Sequence, residues 1–196
     1  MTYNPWVKEE ELQDEWNFSQ IKKGWHAWNI MSPELEFCYL AAAVADSLPE
    51  GSLVIETGMG QGYVTRRLMT ATENKEFWVY ETDPVFIDLA EVGTDEAGYT
   101  PPIIKQGSPS LDEFRAADFV VLDSDTRYRT TELLSWIAAA NYGSMVLIHD
   151  TFHHRKIDNQ ITSAIKRHED RLSGCYFPNP RGCYLGARVK GPYDAI

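Results

Sequence analysis

An acid followed by three glycines is the part of the chain with the clearest chemical meaning. Residues 53–62 read Leu-Val-Ile-Glu-Thr-Gly-Met-Gly-Gln-Gly, so Glu56 ends an apolar run and is followed by Gly58, Gly60 and Gly62. Glycine lacks Cβ, so it permits a tight turn and lets a bound molecule approach the backbone. A helical pattern follows, and a helix N-terminus carries partial positive charge. The run predicts a nucleotide-like pocket, although a sharp strand-to-helix turn without a ligand has the same pattern.

The glycine spacing argues against the two common phosphate-binding motifs. A dinucleotide fingerprint requires Gly-x-Gly-x-x-Gly. Here the third glycine comes one residue early, and Tyr63 stands where the fingerprint has glycine. A P-loop requires Gly-Lys-Ser/Thr, whereas Gly62 is followed by Tyr63 and Val64. Both phosphate-binding interpretations are therefore weakened.

A second acid lies at the end of the next predicted strand. Glu81 stands in Val-Tyr-Glu-Thr-Asp-Pro, about 20 residues after the glycine turn, where a carboxylate can accept hydrogen bonds from both ribose hydroxyls. Asp83 is the competing acid, but its place directly before Pro84 is typical of a helix N-cap.

Further polar side chains follow other predicted strands, where open α/β sheets bind their ligands. Asp123 and Asp150 end two neighbouring strands and can converge on one ligand or metal, or they can cap the helices that follow. His149 and His153 flank Asp150, and histidine is suited to accept a proton near neutral pH. Because His149 and Asp150 are adjacent, they face opposite ways unless the strand has ended. Solvated loop histidines remain the alternative, and a zinc cluster would lack the known spacings.

Predicted strands and helices alternate along most of the chain, which is typical of a parallel sheet covered by helices. Ser32, Pro33 and Glu34 indicate a helix start. We predict strands at 52–56, 76–82, 102–106, 117–122 and 144–148, two closing strands at 174–177 and 182–189, and helices from 32, at 63–72, from 83 to about 92, at 129–140 and at 157–171.

The pattern acid-x-Gly-x-Gly-x-Gly, together with Glu81, resembles the first two motifs of the class I S-adenosylmethionine (SAM) dependent methyltransferases. The resemblance implies an α/β fold: a Rossmann-like, doubly wound, seven-stranded and mostly parallel sheet with an antiparallel C-terminal strand. It also implies that Glu56 organises water and the methionine amino group, that Glu81 binds the ribose, and that Ser108 lies beside the adenine. From the residues alone, Glu56 could instead cap the helix that follows, and Ser108 could belong to an ordinary turn. The SAM-binding residues that we predict are Glu56, Gly58, Gly60, Gly62, Tyr63, Glu81, Ser108 and Asp123.

Residues 118–151 resemble the small-molecule O-methyltransferases of the catechol type. In that family two aspartates and an asparagine hold Mg²⁺, which positions and acidifies a substrate hydroxyl. Asp123 and Asp150 match this pattern, whereas Thr151 stands at the asparagine position and Thr126 replaces a family lysine. The resemblance predicts Asp123, Asp150 and Thr151 as metal ligands. The predicted catalytic residues are Asp123, Asp150, His149 and His153.

Length, charge and composition narrow the class of protein. The 196 residues fit one domain, which we place at 32–196 behind a Trp-rich N-terminal helical extension at 1–31 that can act as a lid. A net charge of −11 argues against broad nucleic-acid binding. No apolar run approaches the roughly 18 residues of a membrane span, and no signal core is visible at the N-terminus. We expect a cytoplasmic enzyme that methylates an oxygen or nitrogen of a small molecule. Two alternative functions remain open, namely a SAM-binding protein without catalytic activity and a Rossmann-like protein that binds another nucleotide. A homodimer is also open.

Overall fold

The computed structural model describes residues 35–60, 62–88, 102–151, 158–177 and 181–190. The predicted N-terminal extension at 1–31, with its lid, therefore lies outside the described residues. So do His153 and the start of the helix predicted from Ser32. Among the described residues, no helix combines the length and apolar character needed to cross a bilayer.

Strands and helices alternate as predicted. The strands are β1 Leu53–Thr57, β2 Glu76–Glu81, β3 Ile103–Gln106, β4 Phe119–Leu122, β5 Met145–His149, β6 Leu172–Phe177 and β7 Cys183–Arg188. The helices are α1 Leu35–Ser47, α2 Tyr63–Ala71, α3 Leu111–Ala116, α4 Thr126–Ala139 and α5 Asp158–Arg167, and residues 84–88 are also helical.

The seven strands of the described chain form one sheet in the order β3-β2-β1-β4-β5-β7-β6. The first five pair in parallel, whereas β7 runs antiparallel to both β5 and β6. The predicted Rossmann-like, mostly parallel sheet with an antiparallel C-terminal strand is confirmed. The strand order reverses between β1 and β4, and a crevice at such a reversal is where open α/β sheets bind ligands.

Both faces of the sheet are covered, which explains why the central strands are almost continuously apolar. Alternate residues of β1 point to opposite faces. Val54 packs with Phe37 of α1 and Leu68 of α2, while Ile55 packs with Trp136 of α4 on the other side. This two-sided burial fixes the strands. The polar residues that follow them are thereby held at one edge of the sheet.

Capping side chains set the helix boundaries that the hydrophobic pattern could not fix. The helix predicted from residue 129 begins at Thr126, because the Asp125 side chain accepts a hydrogen bond from the Arg127 amide at 2.9 Å. Asp83 caps the next helical segment as predicted, accepting from the Val85 amide at 3.0 Å. Helix α3 was not predicted, although Ser110 forms a capping box at its start.

Candidate functional site

The glycine turn joins the ends of β1, β2 and β4. Gly58, Gly60 and Gly62 have φ values of 82°, 51° and 81°, in the left-handed region that favours glycine. The Gly58 amide donates to the Tyr80 carbonyl at 2.8 Å. A Cβ on Gly58 would lie 2.3 Å from the Ser124 Cα, so the β1 and β4 turns are in direct backbone contact. The turn therefore depends on glycine for its conformation and for its packing.

Glu81 holds the glycine turn against the end of β2. One carboxylate oxygen accepts from the Gly60 amide at 2.9 Å, and the other accepts from the amides of Thr82 at 2.6 Å and Asp83 at 3.0 Å. Each carboxylate oxygen can accept about two hydrogen bonds. The arrangement therefore orients Glu81 at the predicted ribose position.

Glu56, near the end of β1, is a fully buried acid beside the glycine turn. Its side chain is 0% exposed, and neither oxygen has a hydrogen-bond partner among the described residues. Burial raises the pKa of Glu56 well above its ordinary value, and the negative charges of Asp123 and Glu81 raise it further. The Thr65 hydroxyl opposes this effect, but it also makes no hydrogen bond of standard geometry within the described residues. Orphaned buried acceptors are rare, so a cationic donor from a ligand would account for Glu56.

Glu132 of α4 accepts hydrogen bonds from hydroxyl groups at the ends of three strands. Its Oε2 accepts from Thr57 at 2.9 Å and from Ser124 at 2.5 Å, while its Oε1 accepts from Ser108 at 2.8 Å. The carboxylate is buried, and it ties together the turns after β1, β3 and β4. Sequence reasoning missed Glu132, because nothing in a helical pattern signals hydroxyl partners that are distant in the chain.

Replacing Glu132 with glutamine should destabilise the protein, because an amide nitrogen cannot accept the hydrogen bonds that the carboxylate receives. We expect a loss of roughly 1–3 kcal/mol of unfolding free energy, measured by urea unfolding with an unchanged slope. Glu36→Gln, on exposed α1 surface, is the matched control. A Glu132→Gln protein as stable as the control would contradict the network.

Asp123 and Asp150 come together as predicted, but around cationic side chains. Arg129 of α4 lies between them, with Nη2 3.5 Å from Asp123 and Nη1 3.2 Å from Asp150. Arg181 binds Asp150 through two nitrogens, Nε at 2.5 Å and Nη2 at 2.6 Å. Burial alone would raise the pKa of Asp150, but the charges of His149, Arg129 and Arg181 outweigh it and lower the pKa to about 2. The folded-state pKa of Asp150 is below the usual value near 3.9. The ionised Asp150 therefore stabilises the folded protein above about pH 3.9, and this stabilisation is lost as the pH falls towards 2.

His149 shares this cluster because the strand has ended. It is the last residue of β5, and Asp150 turns the chain with a left-handed φ of 57°. The His149 Nδ1 lies 2.7 Å from Asp123 and 3.9 Å from Asp150. The ring is 1% exposed and packs against Phe37 with centroids 4.4 Å apart. His149 and Asp150 could face opposite sides of the sheet or a common site, and in the structure both side chains face a common site.

The predicted magnesium ligands do not fit a divalent ion in this arrangement. Mg²⁺ requires octahedral oxygen ligands at about 2.0–2.1 Å, whereas Asp123 and Asp150 are already paired with guanidinium and imidazole groups. Thr151 is buried, and its hydroxyl has no partner among the described residues, but a neutral hydroxyl does not offset the two arginines. Within the described residues, no group of three or more His, Cys, Asp and Glu side chains is arranged to hold a metal.

Two other predicted binding residues have structural explanations of their own. Ser108 lies at the expected turn after β3, where its hydroxyl donates to Glu132. Tyr63, the first residue of α2, is 8% exposed and belongs to the hydrophobic cluster on that face of the sheet. Contact of either side chain with a ligand stays a prediction.

Comparisons with known proteins agree with this fold. No protein-family model and no curated protein matches the chain. Among solved structures, an O-methyltransferase from Bacillus cereus in complex with S-adenosylhomocysteine has a TM-score of 0.68 at 12% identity, over 93% of this chain and 92% of that one. The O-methyltransferase TomG from Streptomyces achromogenes, in complex with SAM, has a TM-score of 0.64 at 14% identity, over 94% of this chain and 100% of that one. The S-adenosylhomocysteine-bound methyltransferase PaMTH1 from Podospora anserina has a TM-score of 0.61 at 13% identity, over 94% and 98%. The chain therefore has the Rossmann-like fold of class I methyltransferases.

Proposed function

We propose that this protein is a SAM-dependent methyltransferase that acts on an oxygen, or a nitrogen, of a small molecule. The observation that carries the proposal is the fully buried and unpartnered carboxylate of Glu56 beside the glycine turn. Two solved structures of similar fold support it, since those from Bacillus cereus and Streptomyces achromogenes hold S-adenosylhomocysteine and SAM.

The donor side of the crevice matches the chemical groups of SAM. The amino-acid end of SAM carries an ammonium group with three N–H donors. These donors would supply hydrogen bonds to the two Glu56 oxygens, which otherwise have no partner among the described residues. Glu81 is oriented by the Gly60, Thr82 and Asp83 amides, and its Oε2, which accepts from the Gly60 amide, has capacity left for a ribose hydroxyl. The turn of Ser108 would lie along the adenine.

On the acceptor side, the Asp123–His149 pair would remove the proton from the nucleophile. Because a carboxylate only accepts hydrogen bonds, Asp123 fixes the imidazole with the proton on Nδ1. The basic nitrogen of that tautomer is Nε2. Because the ring is 1% exposed, the acceptor would reach Nε2 only after a local opening, and Nε2 would then take its proton as the acceptor oxygen attacks the methyl carbon. The C–S bond breaks, and its electron pair stays on sulfur to give S-adenosylhomocysteine. Alignment of the oxygen, carbon and sulfur can supply roughly 7–11 kcal/mol.

Calorimetric titration with SAM, S-adenosylhomocysteine and NAD tests the donor assignment. We expect dissociation constants on the order of micromolar for the first two ligands and no binding of NAD. Glu81→Ala should weaken SAM binding about tenfold or more, because a charged hydrogen-bond acceptor is lost.

Glu76→Ala is the matched control, since Glu76 is an exposed acid at the opposite end of β2. Circular dichroism on each variant separates loss of binding from loss of fold. Binding of NAD alone would contradict the assignment. Binding of SAM without methyl transfer to any member of a hydroxyl- and amine-bearing compound library would favour the non-catalytic alternative.

A further inference from the structure

Two acids and two arginines form a charge-balanced cluster where the catechol-type resemblance predicts magnesium. Its members are Asp123, Asp150, Arg129 and Arg181, with every acid–arginine contact between 2.5 and 3.5 Å. A divalent ion between the two carboxylates would have to displace at least one guanidinium.

Arg129 is fixed too firmly to be displaced. Its Nε donates to the Ser124 carbonyl at 2.9 Å, and its Nη1 donates to the His149 carbonyl at 2.9 Å. The guanidinium is buried, so expelling it would strip two carbonyls of their donor. Breaking a buried ion pair by removing one partner is strongly unfavourable. Arg129 therefore acts as a fixed cation that positions both carboxylates.

Arg181 occupies the outer side of the same cluster. Its two contacts with Asp150 form the fork-like pairing that is the strongest arginine–carboxylate geometry. Asp150 has a left-handed backbone, and its carboxylate contacts both arginines. The Arg181 side chain is 25% exposed, against 4% for Arg129. Arg181 is thus the cation of the cluster that a molecule in the crevice can reach.

We propose that Arg129 and Arg181 take the place of a divalent metal, so that methyl transfer is metal-independent and Arg181 binds the acceptor oxygen. This inference rests on the proposed function. A guanidinium stays protonated in proteins, so Arg181 would serve as a hydrogen-bond donor and positive charge. The acceptor class it favours is a molecule with an acidic hydroxyl or a carboxylate, whose oxygen is an anion when it attacks. His149 would take the proton where one must leave, and the methyl group would pass from sulfur to that oxygen.

Metal binding is measured first, on the full chain, by the loss of free Mn²⁺ signal in electron paramagnetic resonance. We expect no stoichiometric Mn²⁺ binding to the wild type at Mn²⁺ concentrations up to about 1 mM. A metal site with a dissociation constant well below this concentration would be saturated. Stoichiometric binding that disappears in Asp150→Asn would overturn the proposal. This arm does not depend on turnover, so it decides the metal question even if the proposed function fails.

Kinetics with an acceptor test the role of Arg181. Arg181→Met should raise the acceptor KM or lower kcat about tenfold or more while SAM affinity stays unchanged, and Arg181→Lys should restore part of the loss. Arg127→Met is the matched control, because Arg127 pairs with Asp125 on the exposed start of α4. An Arg181→Met enzyme with control kinetics, or activity abolished by a chelator and restored by Mg²⁺, would overturn the proposal. Absence of SAM binding in calorimetry would instead count against the proposed function.

Discussion

Replacing Gly58 with alanine should destabilise the protein strongly, because the turn has no room for a methyl group at this position. The new Cβ would lie 2.3 Å from the Cα and 2.4 Å from the amide nitrogen of Ser124. Both are backbone atoms, which cannot rotate away as a side chain can. To this overlap is added the cost of a left-handed φ of 82° for a residue with a side chain. Left-handed strain costs roughly 1–2 kcal/mol and overpacking roughly 1–3 kcal/mol, so we expect a loss of about 2–5 kcal/mol in urea unfolding.

Two other glycines separate the contribution of strain from that of the contact. Gly51 and Gly143 have φ values of 78° and 86°, but an added Cβ at either would meet no atom within 4 Å. Gly51→Ala and Gly143→Ala should therefore show only the backbone cost, about 1–2 kcal/mol. If Gly58→Ala were no less stable than these variants, the close packing of the β1 turn on the β4 turn would be wrong.

Glu56→Gln should change stability and ligand affinity in opposite directions. In the ligand-free protein the Glu56 carboxyl group is buried without a hydrogen-bond partner among the described residues, so at neutral pH it must either lose its hydration as an anion or take up a proton, and a neutral amide of the same shape avoids that cost. We therefore expect a higher urea midpoint at neutral pH. SAM affinity should fall about tenfold to a hundredfold, because the ammonium group loses a charged acceptor.

The pH dependence of Glu56→Gln follows from the raised pKa of Glu56. An acid with a raised folded-state pKa makes the folded state bind more protons, so it lowers stability as the pH rises above its unfolded pKa, near 4.3. The stability difference between Glu56→Gln and wild type should be small in acid and grow with rising pH. Glu76→Gln, at an exposed position of β2, should show no such trend. A difference that is independent of pH would mean that folding does not raise the pKa of Glu56.

The sheet could be predicted from local sequence because its cause is local. Each central strand is a short apolar run, and the register of Thr57 with Tyr80 and Leu122 follows from packing these runs in parallel. Helix starts were displaced by a few residues where a single side chain, such as Asp125, decides the boundary. That decision depends on one hydrogen bond, which hydrophobic periodicity does not report.

The glycine turn and Glu81 could be located from the sequence, whereas the character of the acid cluster at Asp123 and Asp150 could be predicted only in part, for a related reason. The glycine turn and Glu81 lie at fixed offsets from strand ends, so a linear pattern identifies them. The nature of the Asp123–Asp150 cluster depends on Arg181, which lies 31 residues beyond Asp150, and on Arg129, which looked like an ordinary residue of a predicted helix. Carboxylates indicate that a cation belongs nearby, but only the three-dimensional structure shows that the protein supplies it.

Glu132 should couple the motions of the three strand ends to which it is hydrogen-bonded. Thr57 ends β1, Ser108 lies in the turn after β3 and Ser124 directly follows Asp123 after β4, and all three hydroxyls donate to one carboxylate. Local opening of any one turn breaks part of the network that holds the others, so the three turns should open as one cooperative unit. A ligand that rigidifies one turn then lowers the entropic cost of ordering the rest. Occupancy of the donor pocket would in this way prepare the acceptor pocket without any change in mean structure.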